Sequence, residues 1–249
     1  DFNYIVSGMF TATDSFPLMA IPFFICAGIF MNSSGVTKRI MNFCNVVTKR
    51  MTGGLGQVNV LLSTLMGGLS GSNLADAAME AKILVPEMEE KGYSKEFSSV
   101  LTATSAMITP LIPPGIGMIL YGSIANVSIG KLFVAGIGIG VLLCISLMIM
   151  VHFISKKRGY QPATKEKQDP EEVKSAVKQA ILPLCLPILI IGGIRIGIVT
   201  PTEAGTVAIV YALILGIIYK ELKMSDVVDG LKESVATTAS IMMIVGGAS

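Results

Sequence analysis

The sequence predicts an all-α integral membrane protein, and three observations carry that prediction. The 249-residue chain is 52% hydrophobic and only 14% charged, with a mean hydropathy of +0.70, far from the balance of a water-soluble domain. Its apolar residues fall in runs long enough for a bilayer core, which takes about 20 residues of helix to cross. Its basic residues are gathered between those runs. The same composition excludes other classes. A net charge of +2 offers no basic surface for nucleic acid. Cys26, Cys44, Cys144 and Cys185 stand singly among apolar neighbours without CxxC spacing and read as packing residues. The lone His152 builds no metal site by itself, and no phosphate loop, nucleotide motif or other cofactor signature is present.

Charge orients the elements. Residues 34–55 carry Lys38, Arg39, Lys49 and Arg50, and residues 80–97 carry Lys82, Lys91 and Lys95. Residues 155–180 include Lys156, Lys157 and Arg158, and residues 219–233 hold Lys220, Lys223 and Lys232. Of the 19 bases, only Lys131 and Arg195 lie outside these four segments, so the positive-inside rule puts all four in the cytoplasm. Residues 16–31 then run inward, 98–124 outward, 132–154 inward, 181–199 outward and 204–219 inward, and a further apolar segment starts at 235. Between the first span and residue 56 lies a cytoplasmic amphipathic helix. Residues 155–180 form a polar linker, helical after Pro170.

One segment cannot alternate. Residues 56–80 have a cytoplasmic segment on both sides, so they enter and turn back as a re-entrant hairpin with its tip near "GGLSGSN" (67–73). Irregular backbone at that depth is tolerated where protein or a water-filled cavity surrounds it. Glycines 67, 68 and 71 allow the turn. Ser70, Ser72 and Asn73 offer neutral oxygens, and Asp76 one turn on offers a single negative charge. A hard cation such as sodium takes oxygen ligands of this kind; equally, small residues let helices pack closely and serines satisfy carbonyls.

The next span is broken. In "SAMITPLIPPGIGMILYGSIAN" (105–126), Pro110, Pro113 and Pro114 remove amide donors and Gly115 follows, so no helix continues through them. The carbonyls from Thr109 to Ile112 then need a neighbouring helix, water or a cation. A broken span beside a hairpin is how secondary transporters build midplane sites. Further on, "VTPTEAG" (199–205) starts a helix near Glu203 with Thr202 as its cap, and Arg195 is placed to pair with Glu203 or to attract an anion. The chain starts without methionine and stops inside an apolar segment, as expected of a piece of a longer polytopic protein.

"SFPLMAIPFFICAGIFMNSSGV", "GGLSGSNLADAA", "VPEMEEKGYSKEFSS", "PLIPPGIGMILYG" and "GIVTPTEAGTVAIVYAL" together resemble the large membrane (permease) subunit of tripartite ATP-independent periplasmic (TRAP) transporters. The resemblance runs in order along essentially the whole chain. It implies an elevator-type inverted-repeat fragment in a bacterial inner membrane. The first repeat would be 1–154 and the linker 155–180, with a truncated second repeat from 181 to 249. It implies sodium-driven import of an organic acid anion, together with a small membrane subunit and a periplasmic substrate-binding protein. It also implies a first-repeat sodium site formed by Ser70, Gly71, Ser72 and Asn73 with the break around Pro113, Pro114 and Gly115. Asp76, Thr109 and Ile112 stand beside that set. Arg195, Thr200, Thr202 and Glu203 are the substrate-side or capping group. The sequence departs from the family pattern at Asn73 and Gly115. A stand-alone sodium/carboxylate carrier is the alternative. A rhomboid-like serine protease is a remoter one, resting on "GLSG" (68–71) with His152 as its only base.

Overall fold

The computed structural model describes residues 2–162 and 170–248, with the main chain alone at 2–6 and 12. Every regular element among these residues is helical. Helix α1 (Phe2–Thr13) precedes a 3-10 turn at Phe16–Met19 that leads into α2 (Ala20–Ser33). Then follow α3 (Val36–Thr48), α4 (Gly54–Ser70), α5 (Asn73–Glu90) and α6 (Lys95–Ser105). A 3-10 turn at Thr109–Leu111 separates α6 from α7 (Ile116–Ile124). The chain closes with α8 (Ile129–Arg158), α9 (Pro170–Ile196), α10 (Pro201–Tyr219) and α11 (Met224–Ala248).

Four segments are long and apolar enough to cross a membrane: Phe16–Ser33, Ile129–Arg158, Pro170–Ile196 and Pro201–Tyr219. A fifth, Lys95–Leu111 with Ile116–Ile124, is bent by 47° at its break. Local chemistry sets the ends. Ser128 caps α8 by accepting from Lys131 N–H, and Gly159 stops it in a left-handed conformation (φ 75°). Lys156, Lys157 and Arg158 fill its last turn, where the helix dipole favours cations. The face of α8 carrying Ile139, Leu142, Ile145, Ile149 and Phe153 is exposed, as suits a helix whose solvent is lipid.

Several elements differ from the sequence expectation. Helix α1 was not anticipated. The basic segment at 80–97 is mostly helix rather than loop, because α5 continues through it to Glu90 and α6 begins at Lys95. Helix α9 runs from Pro170 across residue 180 into the apolar run, so that part of the polar segment and the span are one rod. The rest of the linker, 163–169, lies outside the described residues.

Two parallel helices pack together beside the hairpin, with α2 touching it. Helix α10 lies along α2, with Thr202 Oγ1 donating to the Phe16 carbonyl (3.3 Å) at one end. At the other end Arg39 lies 3.6 Å over the Tyr219 ring and 3.0 Å from Glu221. Helices α4 and α5 form a hairpin with both feet at the end of the fold where α8 carries its basic turn. Gly53 abuts the Ser155 side chain, and Tyr93, just beyond α5, stacks on Tyr160 at 4.2 Å. The tip lies part-way along the bundle, with Ser70 against Gly28 of α2 and Gly68 against Pro187 of α9.

Candidate functional site

The site forms where the hairpin tip meets the broken helix. Helix α4 ends at Ser70 because Gly71 takes a left-handed conformation (φ 63°), which a side chain would resist. Ser72 turns extended and caps α5, accepting from Ala75 N–H at 3.4 Å. This tight exit brings the tip onto the break: a methyl group on Gly71 would come within 2.5 Å of the Pro114 carbonyl oxygen. Likewise a methyl on Gly67 would meet the Thr109 main chain at 2.8 Å. The glycines are therefore what allow two irregular backbones to touch.

The Thr109 and Pro114 carbonyls lie at this contact, and the carbonyls of the two breaks differ in their partners. The Thr109 carbonyl accepts from Ile112 N–H, the Ser72 carbonyl from Asp76 N–H, and the Gly115 carbonyl from Met118 and Ile119. No hydrogen bond to the carbonyls of Ser70, Gly71, Ile112, Pro113 or Pro114 occurs among the described residues. The chain breaks cause this: Gly71 leaves α4 in a left-handed conformation and Ile112 is extended, so these carbonyls no longer meet the amide four residues on. Oxygens at a helix C-terminus carry partial negative charge, so these oxygens suit a cation.

The side chains sort differently from the backbone. Asp76 is fully buried, and its Oδ2 accepts from the Ser70 hydroxyl at 2.5 Å. That hydroxyl in turn accepts from Ser72 N–H at 3.3 Å. Asp76 Oδ1 has no hydrogen-bond partner among the described residues. Thr109 is buried and donates to the Ser63 carbonyl at 3.3 Å. Asn73 is exposed beside Leu74, whereas Pro113, Pro114 and Gly115 are buried.

Sequence reasoning overlooked the polar column below the tip. Glu80 is fully buried one turn after Asp76, and its Oε2 lies 2.6 Å from Ser63 Oγ. On α4 below Ser63, Asn59 Nδ2 donates to Thr102 Oγ1 (2.8 Å) and Asn59 Oδ1 accepts from Ser105 (2.6 Å). The spacing was available as a signal: Asp76 and Glu80 are four apart, as are Asn59 and Ser63, which puts each pair on one helix face.

At the far end of the bundle, two expectations need correction. The cap of α10 is Thr200, not Thr202. Its hydroxyl and Glu203 form a capping box, with Thr200 N–H donating to Glu203 Oε2 at 2.7 Å, and Pro201 opens the helix. Proline's fixed φ suits that first helical position, so the helix starts earlier than the position of Glu203 suggested. Thr202 instead faces inward and bonds Phe16. Nor does Arg195 pair with Glu203: no ion pair of either occurs among the described residues, because the carboxylate is held by its own helix end. Arg195 and Thr200 line a cavity of about 1070 Å³ together with Lys131 and Ser123.

The protease geometry is also absent. Ser70 is buried with its proton on Asp76, whereas His152 is exposed near the basic end of α8 against Phe153. A nucleophile needs its base within about 3 Å.

An all-helical bundle with several membrane-length helices, and a helical hairpin whose tip packs against a broken helix, is the architecture of a membrane transport protein. The family described as "Tripartite ATP-independent periplasmic transporter, DctM component" matches residues 2–249, and the chain belongs to it. It is thus a multi-pass protein of the inner membrane. It is 44% identical over 246 residues to the sialic acid TRAP transporter large permease protein SiaM of Vibrio cholerae, covering 98% of this chain and 57% of that protein. It is 37% identical over 249 residues to the 2,3-diketo-L-gulonate TRAP transporter large permease protein YiaN of Escherichia coli, covering 100% and 58%. To the isethionate TRAP transporter permease protein DctMQ of Oleidesulfovibrio alaskensis it is 36% identical over 248 residues, covering 99% and 39%. The chain thus spans little more than half, or less, of the length of these relatives.

Proposed function

We propose that the chain forms the ion-binding first repeat of a sodium-coupled importer of an organic acid anion. One observation carries this reading: Gly71, at the end of α4, sits against the Pro114 carbonyl of the break, the carbonyls of both have no hydrogen-bond donor among the described residues, and the adjacent Ser70 is bonded to the Asp76 carboxylate. Sodium bound among them draws oxygens from both chain breaks and so orders the tip against the broken helix. Ligation at Asn73 and Gly115 is then by the main chain or not at all, since the Gly115 carbonyl is already used by α7. The N-terminal amides of α5, on the other side of the same turn, suit a carboxylate. The cation offsets the cost of holding that anion within the membrane.

In this reading the four basic segments are cytoplasmic and α4–α5 is a re-entrant hairpin. The elements 1–154 and 181–249 belong to two inverted repeats, and a mobile bundle carries ion and substrate across in an elevator motion. The relatives named as permeases for sialic acid, diketogulonate and isethionate support an organic acid as substrate. The family name supports work with a small membrane subunit and a periplasmic binding protein.

The test is uptake of a panel of labelled organic acids into liposomes containing the full-length permease and its small subunit, under an inward sodium gradient. Uptake requiring both sodium and the binding protein is the expected result. Sodium-dependent uptake without the binding protein would favour a stand-alone carrier. Uptake indifferent to sodium would overturn the coupling.

A further inference from the structure

Below the proposed cation site is a second acid that the site does not use. Glu80 is fully buried, its Oε1 has no hydrogen-bond partner among the described residues, and its Oε2 lies 2.6 Å from Ser63 Oγ. The hydroxyl of Ser63 also lies 3.1 Å from the Asn59 carbonyl, in the usual bond back to the preceding turn. A hydroxyl has one proton and cannot donate fully to both oxygens. If Ser63 donates to Asn59, the short contact to Glu80 needs a proton supplied by the carboxyl itself.

The two acids of the hairpin differ at this point. Among the described residues the Ser70 hydroxyl has only Asp76 as acceptor and receives a main-chain N–H of its own, so Asp76 Oδ2 is satisfied as an ionised acceptor. Glu80 faces a hydroxyl whose proton has another acceptor. We infer that Glu80 is a proton-binding site of the hairpin: it holds a proton, donates it to Ser63 Oγ, and leaves the tip with a single negative charge.

The surroundings agree. The titratable or charged groups facing Glu80 are Asp76 on its own helix and the Cys44 thiol on α3, with Cys144 of α8 behind that thiol. Helices α4 and α6 present neutral hydroxyls and an amide: Ser63, Asn59, Thr102 and Ser105. No basic side chain is bonded to either acid among the described residues. Two like charges one turn apart in such a place disfavour double ionisation, and a proton on Glu80 removes one of them without a counter-ion. The inference is separate from the sodium reading, because Glu80 and Ser63 belong to no proposed ligand set.

The experiment is infrared spectroscopy of the full-length permease at neutral pH, with carbon-13 in glutamate to separate its carboxyl bands from those of aspartate. A protonated glutamate carbonyl band is expected, lost in Glu80→Gln and retained in Asp76→Asn. Glu80→Gln is also expected to keep the melting temperature, since its amide N–H can donate to Ser63 as the acid does. Glu80→Ala, which removes the donor, is expected to lower it. A wild-type spectrum without the band, a band that survives Glu80→Gln, or a Glu80→Gln protein that no longer folds would each overturn the assignment. All these readouts are taken without transport, so they stand or fall apart from sodium coupling.

Discussion

Ser70 donates its hydroxyl proton to Asp76 Oδ2 across 2.5 Å, tying the last turn of α4 to the first turn of α5. The bond closes the tip from inside and holds the carboxylate beside the Thr109 side chain at the break. Ser70→Ala removes the short hydrogen bond to that carboxylate. Losing a hydrogen bond to a charged group costs about 1.5–3 kcal/mol. The expected outcome is a lower melting temperature of the full-length permease, read by a thermal shift in detergent.

Asp76→Asn separates charge from shape. If Asp76 supplies the negative charge for sodium, the variant inserts normally but its uptake loses its dependence on external sodium. An unchanged sodium titration would make Asp76 a structural residue. Ser72→Ala is expected to be milder, because its hydroxyl makes only a long 3.4 Å capping bond and cap losses begin at about 0.5 kcal/mol.

Gly28 is where α2 admits the tip. A methyl group there would come within 2.7 Å of the Ser70 carbonyl oxygen and 3.0 Å of its Cα. Both are main-chain atoms and cannot swing aside. Gly28→Ala therefore displaces the tip or α2, at an overpacking cost of about 1–3 kcal/mol. Reduced uptake with normal membrane yield is the expected result; wild-type uptake would show that the tip is free to shift.

At the start of α10, the two threonines are expected to respond differently. Thr200→Val breaks the capping box and costs about 1 kcal/mol, and Glu203→Gln, which keeps a side-chain acceptor, costs less. Thr202→Val loses the bond to the Phe16 carbonyl and loosens α10 from α2. Hydrogen exchange distinguishes them: Thr200→Val should raise exchange in the first turn of α10, Thr202→Val around Phe16–Met19.

The turn between α5 and α6 is clasped by the end of α8. Tyr160 stacks on Tyr93 and accepts from Ser94 N–H at 3.1 Å, and Arg158 reaches Ser94 Oγ at 3.3 Å. Tyr160→Phe keeps the ring and loses the acceptor, while Tyr160→Ala loses both. Exchange at residues 91–94 should rise slightly in the first variant and strongly in the second. Equal effects would mean that the stack contributes nothing.

The sequence by itself determined the helical membrane class, because spans of apolar residues and clusters of bases are one-dimensional patterns with direct physical meaning. It also placed the turn within "GGLSGSN" and the break at Pro113–Pro114, since adjacent prolines remove amide donors a helix needs, but not which glycine makes the turn, because Gly67 and Gly68 lie inside α4. It misassigned the α10 cap, because Thr200 and Thr202 are both chemically able to cap and only the position of Pro201 in the helix separates them. Tertiary structure alone decided which carbonyls stay free, that Gly71 rests on Pro114, and that Glu80 is buried against Ser63. Those facts depend on which helix faces meet. Residues 43 positions apart in sequence, such as Asn59 and Thr102, become partners only through packing, and no local pattern along the chain encodes that meeting.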